Sequence, residues 1–87
     1  MNYINPKVPV KKLKNGDFFL AYHKDLNVHV WQIEDDTIIK EGNVEYVKSV
    51  KDITNPKNAP TSLAMPDWPV QPILLIDGHV KVIQENN

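Results

Sequence analysis

The sequence predicts an all-β fold, a small, partly open barrel of five to six mostly antiparallel strands. Three observations lead there. No stretch carries a helical periodicity of useful length. Short β-favouring runs recur at close spacing between turn signals. Asp77-Gly78, a dipeptide that accepts the positive φ values of a two-residue turn, separates Ile73-Leu74-Leu75-Ile76 from His79-Val80-Lys81-Val82-Ile83. Orthogonal packing of two sheets is the main alternative.

Taken in order, residues 1–9 read as an extended arm, because Pro6 and Pro9 bracket Lys7-Val8 and oppose a helix. Val10 to Leu13 reads as a short first strand, and Lys14-Asn15-Gly16-Asp17 as a turn. Phe18 to His23 and Val28 to Ile33 form the next two strands, joined by the polar loop Lys24 to Asn27. A four-residue loop sets Tyr22 opposite His29 and Leu20 opposite Trp31. One face then gathers Phe18, Leu20, Tyr22, His29, Trp31 and Ile33. The other carries Phe19, Ala21, His23, Val28, Val30 and Gln32, and is apolar enough to be partly covered as well.

Glu34-Asp35-Asp36 reads as an acidic turn before a short strand, Thr37 to Lys40. Glu41-Gly42-Asn43 is a second turn, and Val44 to Val50 a further strand in which Val44, Tyr46 and Val50 share a face with Lys48. Residues 52–72 read as a proline-rich irregular connection, with Pro56, Pro60, Pro66, Pro69 and Pro72 opposing a long helix or a central strand. Within it, Thr61 to Met65 can form one helical turn capped by Thr61 or Ser62. At the Asp77-Gly78 turn, Ile76 faces His79, Leu75 faces Val80, Leu74 faces Lys81 and Ile73 faces Val82. The wholly apolar face Ile73, Leu75, Val80, Val82 is expected to be buried.

At 87 residues the chain is expected to hold one domain, 1–87, with a small core. Its apolar share of 41% and charged share of 24% are those of an ordinary folded domain. Without cysteine it forms no disulfide scaffold and no thiolate zinc site. The opening residues lack a signal-like apolar run and no stretch approaches the ~20 apolar residues of a membrane span, so a cytoplasmic location is expected. Net charge is −1 and all ten basic residues are lysine, which argues against a strong nonspecific nucleic-acid binder and against arginine-based base readout.

The stretch Val10-Lys11-Lys12-Leu13-Lys14-Asn15-Gly16-Asp17-Phe18-Phe19 resembles the opening of small SH3-like β-barrel proteins, which are common in phages and mobile elements. These often run from a strand through Leu-Lys-x-Gly-Asp into an apolar strand. The resemblance covers about ten residues and implies a barrel. It supplies no catalytic residue and no substrate.

No residue set points to catalysis, to a cofactor or to a metal. His23, His29 and His79 read as surface or rim histidines, since His23 and His29 project from opposite faces in the register above and His79 adjoins a turn. The Glu34-Asp35-Asp36 knot reads as a solubilising turn, and Ser49 and Ser62 lack an elbow motif. Gly16, Gly42 and Gly78 are isolated turn glycines rather than a phosphate loop. Tyr22 with His29 is the least implausible acid/base pair.

The leading expectation is therefore a non-catalytic protein-interaction module, a small accessory or inhibitor protein of a phage or mobile element that presents residues 56–72, or an exposed sheet edge, to a larger protein. Within that segment Met65, Trp68 and Val70 are the partner-binding candidates, with Trp68 the aromatic anchor, or else a plug for the end of the barrel. The alternative is a nucleic-acid-binding barrel using Lys11, Lys12 and Lys14, residues that an edge strand also employs simply to block aggregation. An open edge would also permit a homodimer.

Overall fold

The computed structural model describes residues 8–64 and 66–82. Residues 1–7 of the expected arm, Met65 and the tail from 83 onward lie outside the described residues. The chain is all-β. Its strands are β1 (Val8–Pro9), β2 (Phe18–Tyr22), β3 (Val28–Glu41), β4 (Val44–Asp52), β5 (Thr61–Ala64), β6 (Pro69–Ile76) and β7 (His79–Val82). They form one antiparallel sheet in the order β1-β6-β2-β3-β4-β5, with β7 also paired to β6, and the sheet is not closed.

The N-terminal part differs from the expected strand. Val10–Lys12 forms a 3₁₀ turn, and the strand is the shorter Val8–Pro9 just before it. The turn is held by residues far along the chain: the Val10 N–H donates to the Trp68 carbonyl (2.9 Å) and the Lys11 N–H to that of Pro66 (2.9 Å). Lys14 to Asp17 is a β-turn closed by the Asp17 N–H on the Lys14 carbonyl (2.9 Å). Gly16 sits at its third position with φ of 90°, the conformation that makes glycine the favoured residue there.

β2 and β3 pair one residue out of the expected register: Ala21 lies opposite His29 and Phe19 opposite Trp31. The physical reason is the loop. His23 and Asn27 are joined by an N–H···O bond of 2.9 Å, and the Leu26 N–H closes a turn on the His23 carbonyl at 2.8 Å. Only Lys24, Asp25 and Leu26 remain as loop, with Leu26 left-handed at φ 68°. This is the three-residue hairpin, a turn followed by one left-handed residue. Shortening the loop from four residues to three shifts β2 against β3 by one residue, which puts Phe19, Ala21 and His23 on the face of His29, Trp31 and Ile33.

Glu34-Asp35-Asp36 is not a turn. β3 runs through it to Glu41, with register irregularities against β4 between Ile33 and Asp35 and again between Asp35 and Ile38. The carboxylates bind the backbone freed there: Asp35 Oδ1 accepts the Thr37 N–H (3.0 Å), and the Asn15 and Asp36 side chains exchange bonds with each other's N–H (2.6 and 3.2 Å). β4 is also irregular, where its pairing with β5 shifts between Val47 and Val50. Val47 and Val50 are therefore both buried despite their odd spacing, while Val44 is exposed.

Residues 52–72 are more ordered than the prolines suggest. The segment Thr61–Ala64 is strand β5 rather than a helical turn, and β6 begins at Pro69. Pro72 is accommodated in a strand with neighbours on both sides because it falls at a handover. On one side, among the described residues, β1 pairs with Pro69 and Val70 and β7 pairs from Ile73 onward, so neither described ladder uses an N–H at Pro72. The core consists of Val10, Leu13, Phe19, Ile33, Val47, Val50 and Val70, with Val8, Ala21, Trp31 and Leu63 packed against it.

β7 pairs with β6 as Ile73↔Val82, Leu74↔Lys81, Leu75↔Val80 and Ile76↔His79, across Asp77 and Gly78 at φ 51° and 79°. The apolar face of this pair is not buried as expected. Ile73 is in the interior, but Val80 is 48% and Val82 45% exposed. β2 pairs with β6 only as far as Ile73, so Leu74–Ile76 extend beyond the strand that would have covered them.

Candidate functional site

Two regions stand out: a histidine–carboxylate cluster at the β2–β3 loop, and the overhanging β6–β7 pair.

The cluster follows from the register. His23, at the end of β2, and His29, near the start of β3, share a face, and their rings stack with centroids 4.6 Å apart. The expectation that they project from opposite faces is corrected by the three-residue loop. Trp31 packs against both, at 5.7 Å from His23 and 6.1 Å from His29, and its indole N–H donates to the Ala21 carbonyl.

His29 is buried between two carboxylates. Its Nδ1 lies 2.9 Å from Asp52 Oδ2 and its Nε2 lies 3.1 Å from Asp25 Oδ2. An ionised carboxylate only accepts, so both ring nitrogens carry protons when both acids are charged. The hydrogen bond to Asp52 raises the His29 pKa above its ordinary value. Burial opposes this, and Asp25 adds to the rise. Asp52, 1% exposed, is held by more than the histidine. Its Oδ1 accepts the Asn55 N–H (3.0 Å) and its Oδ2 the Asn58 amide (3.0 Å). Burial opposes its ionisation, yet these three donors keep its pKa below the ordinary carboxylate range. Asp25 is lowered first by the Asn27 N–H, which donates to Oδ1 at 2.8 Å, with a further contribution from His29.

These shifts set a pH profile. The His29 contribution is fully present below its ordinary value of 6.5 and is lost as pH rises through the raised value. The Asp25 and Asp52 contributions are present above 3.8 and are lost as pH falls through the lowered values. In chelator-treated buffer the melting temperature is therefore expected to peak between about pH 4 and pH 6.5. A melting temperature that stays level from pH 6 to pH 9 would show that His29 carries no extra proton in the fold.

Sequence reasoning passed over Asp52. The available signal was an aspartate closing an apolar strand, with Asn55 and Asn58 at turn spacing behind it. The Tyr22–His29 pair does not form: Tyr22 pairs with Val28, is half exposed, and makes no hydrogen bond to His29.

The partner-binding candidates separate. Trp68 is 37% exposed and lines a shallow apolar pocket with Tyr22, Trp31, Thr61 and Leu63. Val70 lies in the core at 1% exposure, so its side chain is not offered to a partner. Met65 lies outside the described residues. Of the three lysines, Lys11 is engaged by an ion pair with Asp67, which raises its pKa through the hydrogen bond and the charge of that carboxylate. Lys12 and Lys14 are exposed. The overhanging β6–β7 pair exposes Leu74, Ile76, Val80 and Val82 at 48, 49, 48 and 45%.

No protein family, curated protein or solved structure matches the chain. Among the described residues no helix is long and apolar enough to cross a membrane.

Proposed function

We propose that the protein is a non-catalytic interaction module whose β6–β7 hairpin receives an extended segment of a larger protein partner. The observation that carries this reading is the run of four half-exposed apolar side chains, Leu74, Ile76, Val80 and Val82, on a pair of strands that extends past its neighbour. Isolated exposed apolar residues are ordinary, but here each face of one strand pair exposes two, Leu74 and Ile76 on one and Val80 and Val82 on the other, which favours an added strand whose alternate side chains meet both faces. Residues 56–72 support the reading less, because Val70 is core and the carbonyls of Pro66 and Trp68 are taken by the N-terminal turn.

A partner with acidic side chains suits this edge better than a second copy. β7 carries His79 and Lys81, and antiparallel pairing of two copies brings these basic side chains together. The SH3-like likeness of residues 10–19 belongs to the same proposal: a bent, unclosed sheet presenting one edge, of the kind used by small accessory or inhibitor proteins of phages, acting in the cytoplasm.

The test compares wild-type bait with Ile76→Asp/Val80→Asp in capture from host lysate, with and without nuclease. A stoichiometric partner that is nuclease-resistant, binds the purified wild type and binds the double variant at least tenfold more weakly is expected, with circular dichroism unchanged. Equal capture by both baits overturns the hairpin as the surface. Capture that vanishes with nuclease transfers the function to nucleic acid and to Lys12 and Lys14.

A further inference from the structure

We propose that His23, Asp25 and His29 form a binding site for a divalent transition-metal ion of the zinc class, with water completing its coordination. The ligand atoms of these three residues all lie within 4.8 Å of one another. They come from one hairpin: one histidine at the end of β2, the other at the start of β3, and the carboxylate in the three-residue loop between them.

Three features make this more than a coincidence of side chains. His23 Nδ1 is buried and has no hydrogen-bond partner, an unusual state for a ring nitrogen and one that a metal ion relieves. It lies 3.7 Å from Asp25 Oδ1. His29 is oriented as a metal ligand is, with its remote nitrogen Nδ1 fixed on the buried Asp52 carboxylate so that Nε2 faces the cluster. Asp52 is anchored in turn by Asn55 and Asn58, so the support for His29 is itself rigid. Finally, Asp25 divides its oxygens: Oδ1 holds the Asn27 N–H, and Oδ2 points into the cluster.

The donor set selects the ion. Two imidazoles and one carboxylate suit Zn²⁺, Co²⁺ or Ni²⁺, whereas Ca²⁺ and Mg²⁺ require six or more oxygen ligands or several waters around carboxylates. Bonds of ~2.0–2.1 Å place two ligand atoms on one tetrahedral ion about 3.3 Å apart. The cluster therefore contracts on binding. The His23 ring turns out of its parallel stack on His29, and the ion replaces the proton on His29 Nε2, which leaves to solvent. Nδ1–H stays on Asp52. Asp25 is close to half exposed, which leaves the ion a route from solvent.

The experiment uses the full chain after chelator treatment, titrated with Zn²⁺ by calorimetry and with Co²⁺ by visible absorption. Trp31 fluorescence in a Trp68→Phe background reports the ring movement directly. One ion per chain is expected, with the melting temperature raised by Zn²⁺ and little response to Mg²⁺ or Ca²⁺. His23→Phe keeps an aromatic ring in the stack but removes the nitrogen, and Asp25→Asn removes the charge. Each is expected to weaken Zn²⁺ at least tenfold while circular dichroism stays unchanged. No binding at about 1 mM Zn²⁺, binding undiminished in both variants, or an equal response to Ca²⁺ would overturn the site.

Discussion

Asp52→Ala is expected to remove about 3–5 kcal/mol of folding free energy, because truncating one partner of a buried charged pair leaves the other without compensation. The total for a domain of this kind is on the order of 5–10 kcal/mol, so the variant is expected to be largely unfolded at physiological temperature. Asp52 is buried and faces three donors: the His29 ring, the Asn55 N–H and the Asn58 amide. Its removal strands all three, and stranding a donor costs more than a made hydrogen bond contributes. Asp52→Asn keeps the shape and one acceptor oxygen but not the charge, and is expected to lose roughly half as much. Urea unfolding followed by tryptophan fluorescence, in chelator-treated buffer, measures both. A loss below about 1.5 kcal/mol for Asp52→Ala would mean that solvent or a shifted side chain replaces the carboxylate.

Phe19→Ala is expected to cost a similar 3–5 kcal/mol, here through lost burial and the cavity left behind. Phe19 is among the largest fully buried side chains, packs in the core with Val10, Ile33 and Val70, and stacks on Trp31 with ring centroids 6.5 Å apart. Phe18 beside it is only partly buried, so Phe18→Ala is expected to cost distinctly less. The pair of variants reads out the β2–β3 register: equal losses, or a larger loss at Phe18, would contradict Phe19 pairing with Trp31.

That register marks the boundary of what was legible. The all-β class and the turns at Gly16 and Gly42 are written in local chemistry, as strand-favouring runs and glycines at positive φ. The face of each strand is not. Choosing the three-residue loop 24–26 over the four-residue loop 24–27 reverses which face of β2 is core, and the choice depends on Leu26 taking a left-handed conformation that leucine rarely adopts. Likewise, the irregularities in β3 and β4 break the alternation that a period-two reading needs, which is why Val47 and Val50 are both core. The histidine cluster was hidden by the same slip, since with the register off by one His23 and His29 fall on opposite faces.

The position of β6 in the sheet bears on how the chain is made. β2 has two neighbours, β3 beside it in sequence and β6 far downstream, and Val70 of β6 completes the core around Phe19 and Ile33. During synthesis, the β2–β3–β4 meander emerges from the ribosome first and waits with one edge of β2 unpaired and part of its core missing. Folding is held back until Pro69–Ile76 has cleared the exit tunnel. A chain cut between β5 and β6 would thus keep an open, apolar strand edge, the kind of segment that chaperones bind and that pairs wrongly when they do not.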